Sequence, residues 1–276
     1  MGGIGLLTSL VGCSKPTQKI KSFLTFTNGK TQNIETIEDF NKLGSNDDEN
    51  TVITLSNGSF VKNTVLGFDF GDNPFEITQT PAFFLYNYTS LNTGLILPNN
   101  ILTIGFGFLS GCASFNADVT LPSSLKFIDD NFLSSCSSYN REIMIPKSVI
   151  SIGDNFMGNC ASFNGTVYFG HGGDSELESI GERFLNDCPS YNQMFSLPNS
   201  ITEIGTFFMW NCYAFVSPLD IKNLNATIFQ ASANSFAVSD SAAAVYTTGF
   251  SIGGTYKNEI KAKFADNASE PYRKII

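Results

Sequence analysis

Apolar residues recur through the middle of this chain at one fixed interval. Blocks beginning at Leu97, Leu121, Ile145, Phe169 and Leu197 carry the same residue types at the same offsets. In the first, Leu97-Pro98 is followed by Ile101, Ile104-Gly105, Phe108-Leu109, Cys112, Ser114-Phe115-Asn116 and Val119. The second and third repeat this order through Cys136 and Cys160. The fourth opens at Phe169, takes four extra residues within Gly170 to Ser175 and resumes at Leu177. Working back from Cys112 lands on Tyr88 in a degenerate leading repeat, and going forward from Cys212 lands on Phe236, where the pattern has faded. A period of 24 residues with about six repeats therefore occupies 73–220.

Each offset has a physical reading. Alternation around Val119-Thr120-Leu121 predicts a short strand, ended by Pro122 because proline removes a ladder donor. The Ile-Gly pair reads as a turn, Phe-Leu as core filling, and Cys with the following Phe or Tyr as packing on the far side. By analogy with other repeat ladders, the Asn amide satisfies backbone groups before the next strand. One repeat cannot bury its apolar face, so stacking at about 4.8 Å per rung must create the core. The fold class is a mainly β solenoid of short strands and turns, capped at both ends.

Residues 14–72 read as the N-terminal cap. Phe23 to Phe26 and Val52 to Leu55 are strands, with a turn at Asn28-Gly29 after the first. Between them, Thr36 caps a short helix that stops at Gly44. Residues 221–276 are a C-terminal cap and tail, with a partial rung over Leu224 to Phe236. Residues 1–13 read as a remnant of a lipoprotein-like signal: Leu10-Val11-Gly12-Cys13 follows the apolar stretch Ile4 to Leu7, making Cys13 a candidate lipidation site. The uncharged start and the interrupting Thr8 and Ser9 leave an ordinary tail open as the alternative.

Charge and cysteine usage narrow the chemistry. A net charge of −9 and a pI near 4.6 offer no basic footprint for nucleic acid. An anionic bilayer would also repel such a chain, leaving a lipid anchor as the expected route to a membrane. Cys112, Cys136, Cys160, Cys188 and Cys212 are spaced 24, 24, 28 and 24 residues apart. That spacing belongs to a repeat, and the five read as structural core thiols. With one histidine in the chain, neither a zinc site nor another metal or cofactor site is expected. Catalysis would have to use His171, with Asp174 near it, in a Gly-rich insertion that supplies no activated nucleophile, so no catalytic residue is assigned. Glu176 and Glu178 fall on one side of a possible strand but read as solvated. Asn57, Asn87, Asn164, Asn225 and Asn267 head Asn-x-Ser/Thr triplets, as an Asn-rich chain produces by chance.

Binding is a better use of this architecture. With Val119, Leu121, Ile143, Ile145, Val167 and Phe169 facing inward, the outward set is Asp118, Thr120, Glu142, Met144, Thr166, Tyr168, Met194 and Ser196. The repeats stop agreeing at these positions. Tyr168, Met144 and Met194 amid polar neighbours suit a protein-binding patch, the other reading being scattered surface residues.

The Leu-Pro, Ile-Gly, Phe and Cys positions resemble the BspA-type leucine-rich repeat of bacterial and some protist surface proteins, over about Phe83 to Phe215. The chain departs from that family in having Asn-Phe, Gly-Phe or Arg-Phe for its usual Ala-Phe, and in its Ser-Phe/Tyr-Asn triplet. The resemblance implies a leucine-rich-repeat solenoid that binds a host, matrix or other extracellular protein without enzymatic activity. Its expected place is the outer face of the cell membrane, lipid-anchored, or else secreted. A structural or antigenic coat protein is the alternative, and a hydrolase the remote one.

Overall fold

In a computed structural model of the protein, residues 21–72, 75–170, 174–193, 195–205, 207–212, 214, 215, 219, 220, 250 and 251 are described. The N-terminal cap contains β1 (Phe23–Phe26), β2 (Thr31–Asn33), α1 (Ile37–Lys42), β3 (Val52–Leu55), β4 (Gly58–Val61) and β5 (Val65–Asp69). Strand β1 pairs antiparallel with both β2 and β5, and β3 with β4. The Thr36 hydroxyl accepts from the Asp39 amide at 3.0 Å, satisfying a donor that the first helical turn leaves free. The Asp39 carboxylate, itself buried, accepts from the amide and hydroxyl of Ser56 and so ties the helix to the β3–β4 turn.

Each rung then contributes two short strands. In chain order they are β6 (Leu95–Ile96), β7 (Thr103–Ile104), β8 (Val119–Thr120), β9 (Phe127–Ile128), β10 (Ile143–Ile145), β11 (Ser151–Ile152), β12 (Val167–Phe169), β13 (Ser179–Ile180), β14 (Phe195–Ser196), β15 (Glu203–Ile204) and β16 (Leu219–Asp220). The even-numbered strands form the first ladder, pairing in parallel as β6–β8, β10–β12 and β14–β16, with β17 (Phe250–Ser251) beside β16. The odd-numbered strands form one five-stranded parallel sheet in the order β15-β13-β11-β9-β7.

This second sheet corrects the reading of Ile-Gly as a turn. Ile104, Ile128, Ile152 and Ile180 are buried strand residues, and the glycine after each of three of them serves close stacking. A Cβ at Gly181 would come within 2.6 Å of the Gly153 carbonyl carbon and 2.7 Å of the Asp154 nitrogen, too close for any side chain. Glu176 and Glu178 lie outside any strand. Both are exposed, and Glu176 pairs with Lys126 at 3.2 Å.

A third ladder runs through residues of alternating handedness. Asn131, Leu133 and Ser135 have φ of 61°, 53° and 62°, and Asn155, Met157 and Asn159 have φ of 54°, 55° and 60°. The amide of Leu133 donates back to Phe108 at 2.9 Å, and those of Asn131 and Ser135 donate forward to Asp154 and Gly158. Phe132 and Leu133 are neighbours and both wholly buried, an arrangement that a plain strand, sending neighbours to opposite faces, cannot provide. Left-handed leucine costs about 1–2 kcal/mol, which this burial and the rung-to-rung bonds offset.

Two columns of stacked rings run through the core. Phe84, Phe108, Phe132, Phe156, Phe184 and Phe208 follow one another at 5.9, 5.7, 5.1, 4.8 and 5.0 Å between centroids. Phe115, Tyr139, Phe163, Tyr191 and Phe215 do so at 5.8, 6.0, 5.4 and 6.0 Å. The cap joins these ladders directly. The Leu66 carbonyl in β5 accepts from Asn92, and the Leu43 carbonyl accepts from Leu85.

Candidate binding face

The first ladder presents one column of side chains to solvent. Ile96 lies opposite Thr120 in the β6–β8 register, and Met144 opposite Tyr168 in β10–β12. Ile96 is 73% exposed and Tyr168 40%, while Thr120 is also exposed and Met144 half-buried. On the same side Asp118 and Glu142 are exposed and Thr166 is half-buried. Met194 and the side chain of Ser196 lie outside the described residues. Ile96 is the residue that repeat alignment missed, although laying Leu95-Ile96-Leu97 over Val119-Thr120-Leu121 would have placed it outward. Three rung steps, about 14 Å, separate Ile96 from Tyr168.

An asparagine ladder fixes the edge of this face. The side-chain oxygens of Asn92, Asn116, Asn140 and Asn164 accept from the amides of Asn116, Asn140, Asn164 and Asn192 at 2.8, 3.0, 2.7 and 2.8 Å. Each side chain thereby pins the backbone entering the next rung. Asn164 also heads one of the Asn-x-Ser/Thr triplets, as do exposed Asn57 and half-buried Asn87; Asn225 and Asn267 lie outside the described residues.

The second sheet carries a groove of about 500 Å³ bordered by Asp129, Asp130, Asp154, Glu182 and Glu203. Here carboxylates are partly structural: Asp130 accepts from the Asp154 amide at 2.8 Å, and Asp154 from the Glu182 amide at 2.7 Å. Burial, then the neighbouring Asp130 charge, raises the Asp129 carboxyl above its ordinary value. Among the described residues no group of three or more His, Cys, Asp or Glu could hold a metal ion. No described helix is long and apolar enough to cross a membrane.

The repeated cysteines are buried free thiols. Cys112, Cys136, Cys160, Cys188 and Cys212 donate to the carbonyls of Leu85, Leu109, Leu133, Met157 and Leu185 of the preceding rung at 3.0, 3.1, 3.1, 3.2 and 3.0 Å. Burial pushes Cys112 and Cys188 up to about 12, and Cys136, Cys160 and Cys212 well above the ordinary thiol value. Thiols held protonated in this way are not nucleophiles at neutral pH. Exposed Asp174 pairs with Lys147 at 3.6 Å, while Cys13 and His171 lie outside the described residues.

Residues 78–216 and 163–248 match the model of the BspA type leucine rich repeat region, in six copies. The chain belongs to the BspA-type leucine-rich-repeat family. Among curated proteins none matches. Among solved structures, similarity extends to a leucine rich cell surface protein of Faecalibacterium prausnitzii, at 18% identity and a TM-score of 0.39, covering 71% of this chain and 52% of that one. A leucine-rich repeat protein of Bacteroides ovatus is similar at 17% identity and a TM-score of 0.38, covering 76% of this chain and 64% of the other. A leucine rich repeat protein of T. pallidum is similar at 16% identity and a TM-score of 0.33, covering 60% and 88%. The chain spans about half to two thirds of the length of the first two.

Proposed function

We propose that this BspA-type repeat protein is a non-catalytic recognition scaffold at the cell surface, held there by lipid on Cys13, that binds a host or other extracellular protein. The observation carrying the proposal is the first-ladder column of Ile96, Thr120, Met144 and Tyr168. It holds exposed apolar groups on a scaffold whose repeated residues are otherwise consumed by packing and hydrogen bonding. Large apolar and aromatic side chains at the centre of a contact, rimmed by polar groups such as Asp118 and Glu142, are where interface energy concentrates.

The test is retention of labelled full-length protein on host-cell layers and matrix-coated surfaces. Tyr168→Ala with Met144→Ala should weaken retention at least about tenfold, since two interface anchors together contribute more than about 1.4 kcal/mol. Undiminished retention by a folded double variant would remove this face from recognition. For the anchor, Cys13→Ser should move the native full-length product from the detergent phase to the aqueous phase.

A further inference from the structure

The outer side of the left-handed ladder forms a second surface, separate from the first-ladder column. A cavity of about 440 Å³ opens there across successive rungs, within the volume range of small-ligand sites. One end is aromatic: Phe83 stands edge-on to Tyr86 at 5.5 Å and to Phe106 at 5.0 Å, and Phe106 is 37% exposed. The other end carries the amides of Asn131, Asn155 and Asn159, half-buried or exposed and without hydrogen bonds from their side chains to the described residues. The remaining lining is Gly107 and serines, so no carboxylate, amine or guanidinium borders the cavity in a chain of net charge −9. Gly107 keeps it open: at φ +72°, a Cβ there would come within 2.9 Å of the Phe83 ring.

We infer that this cavity binds a neutral saccharide. Aromatic faces accept the weakly positive C–H groups on the apolar side of a sugar ring. Free side-chain amides each supply two donors and an acceptor, matching vicinal hydroxyls that both donate and accept. The absence of charge in the lining selects against sulfated or sialylated chains, which the acidic chain as a whole would also repel. Left-handed backbone favours Asn, but it does not require an amide at this offset, because Ser135 has φ of 62° where the next rung has Asn159 at 60°. Phe106 occupies the offset at which later rungs carry Asp130, Asp154 and Glu182, so the aromatic end departs from the repeat just where the cavity lies.

The experiment is binding of the full chain to an array of neutral, sialylated and sulfated glycans, with titration of the best neutral hit. Wild type should bind neutral glycans, and Phe106→Ala and Asn155→Ala should each weaken that binding about tenfold, an aromatic or paired polar contact contributing roughly 1.4 kcal/mol. Unchanged thermal melting establishes that the variants fold, and Tyr168→Ala should leave glycan binding intact. No glycan binding by wild type, binding confined to charged glycans, or equal loss in Tyr168→Ala would each overturn the inference.

Discussion

At the scale of single residues, the repeated thiols act as buried donors. Each cysteine closes a carbonyl of the preceding rung, the one belonging to a left-handed Leu or Met in four of the five cases. Cys160→Ala should lower stability by about 0.5–1.5 kcal/mol, because the Leu133 carbonyl loses the thiol and keeps only the Cys136 amide at 3.3 Å, and Cys160→Ser, which keeps a donor, by less; urea unfolding at pH 7 measures both. The same burial makes stability depend on alkali. The native state holds protons that unfolded thiols release above their ordinary value near 9, so this stabilisation is complete below pH 9 and is lost between 9 and about 12. Each such group contributes a slope of about 1.4 kcal/mol per pH unit, and Tyr88, Tyr139 and Tyr191, also raised by burial, add to it at higher pH. Lys62, lowered by burial, acts in the opposite sense but is one group against five thiols. Urea midpoints should therefore be level to about pH 8.5 and fall steeply above 9; a midpoint unchanged at pH 11 would contradict the buried column.

At the scale of the element, burial decides which repeated positions matter most. Gly181→Ala should destabilise by about 1–3 kcal/mol because the new methyl group meets backbone, which cannot swing aside. Asn140→Ala removes a bond of similar geometry at an exposed edge where water can replace it, so its effect in thermal melts should stay under about 1 kcal/mol. The sequence disclosed the 24-residue period, the first-ladder strands and two of the five cap strands, β1 and β3, because alternation, proline and turn residues mark them. It did not disclose the second sheet: strands such as Phe127–Ile128 and Ser151–Ile152 are two residues long, too short to show a period of two. The left-handed ladder was hidden for another reason. Leucine and methionine at positive φ contradict local preference, and only stacking on neighbouring rungs makes them tolerable. Most of the candidate face was legible, but Ile96 lies in the all-apolar run Leu95-Ile96-Leu97, where no polar residue marks the outward position.

At the scale of the whole molecule, the solenoid depends on how its first rung is closed. Lys62 is fully buried at that junction, donating to the carbonyls of Ser45, Asp47 and Tyr86 at 2.9, 2.9 and 3.2 Å beneath the rings of Tyr86 and Tyr88. Lys62→Met leaves three carbonyls without this donor and should lower stability by at least about 2 kcal/mol. Hydrogen exchange should show the loss concentrated in the cap and the nearest rungs, because the backbone ladders join each rung to its neighbours. The larger division is between residues that every rung repeats, which build the scaffold, and those the repeat leaves free, which the proposed function uses. A substitution scan of the full chain, read out separately for folded yield and for retention on host-cell layers, tests that division most directly. Changes at Phe132, Gly181 and Cys160 should reduce yield, whereas changes at Ile96, Met144 and Tyr168 should preserve yield and abolish retention. Retention unaffected by every folded variant of that column would contradict the account and favour a coat protein without a tight ligand.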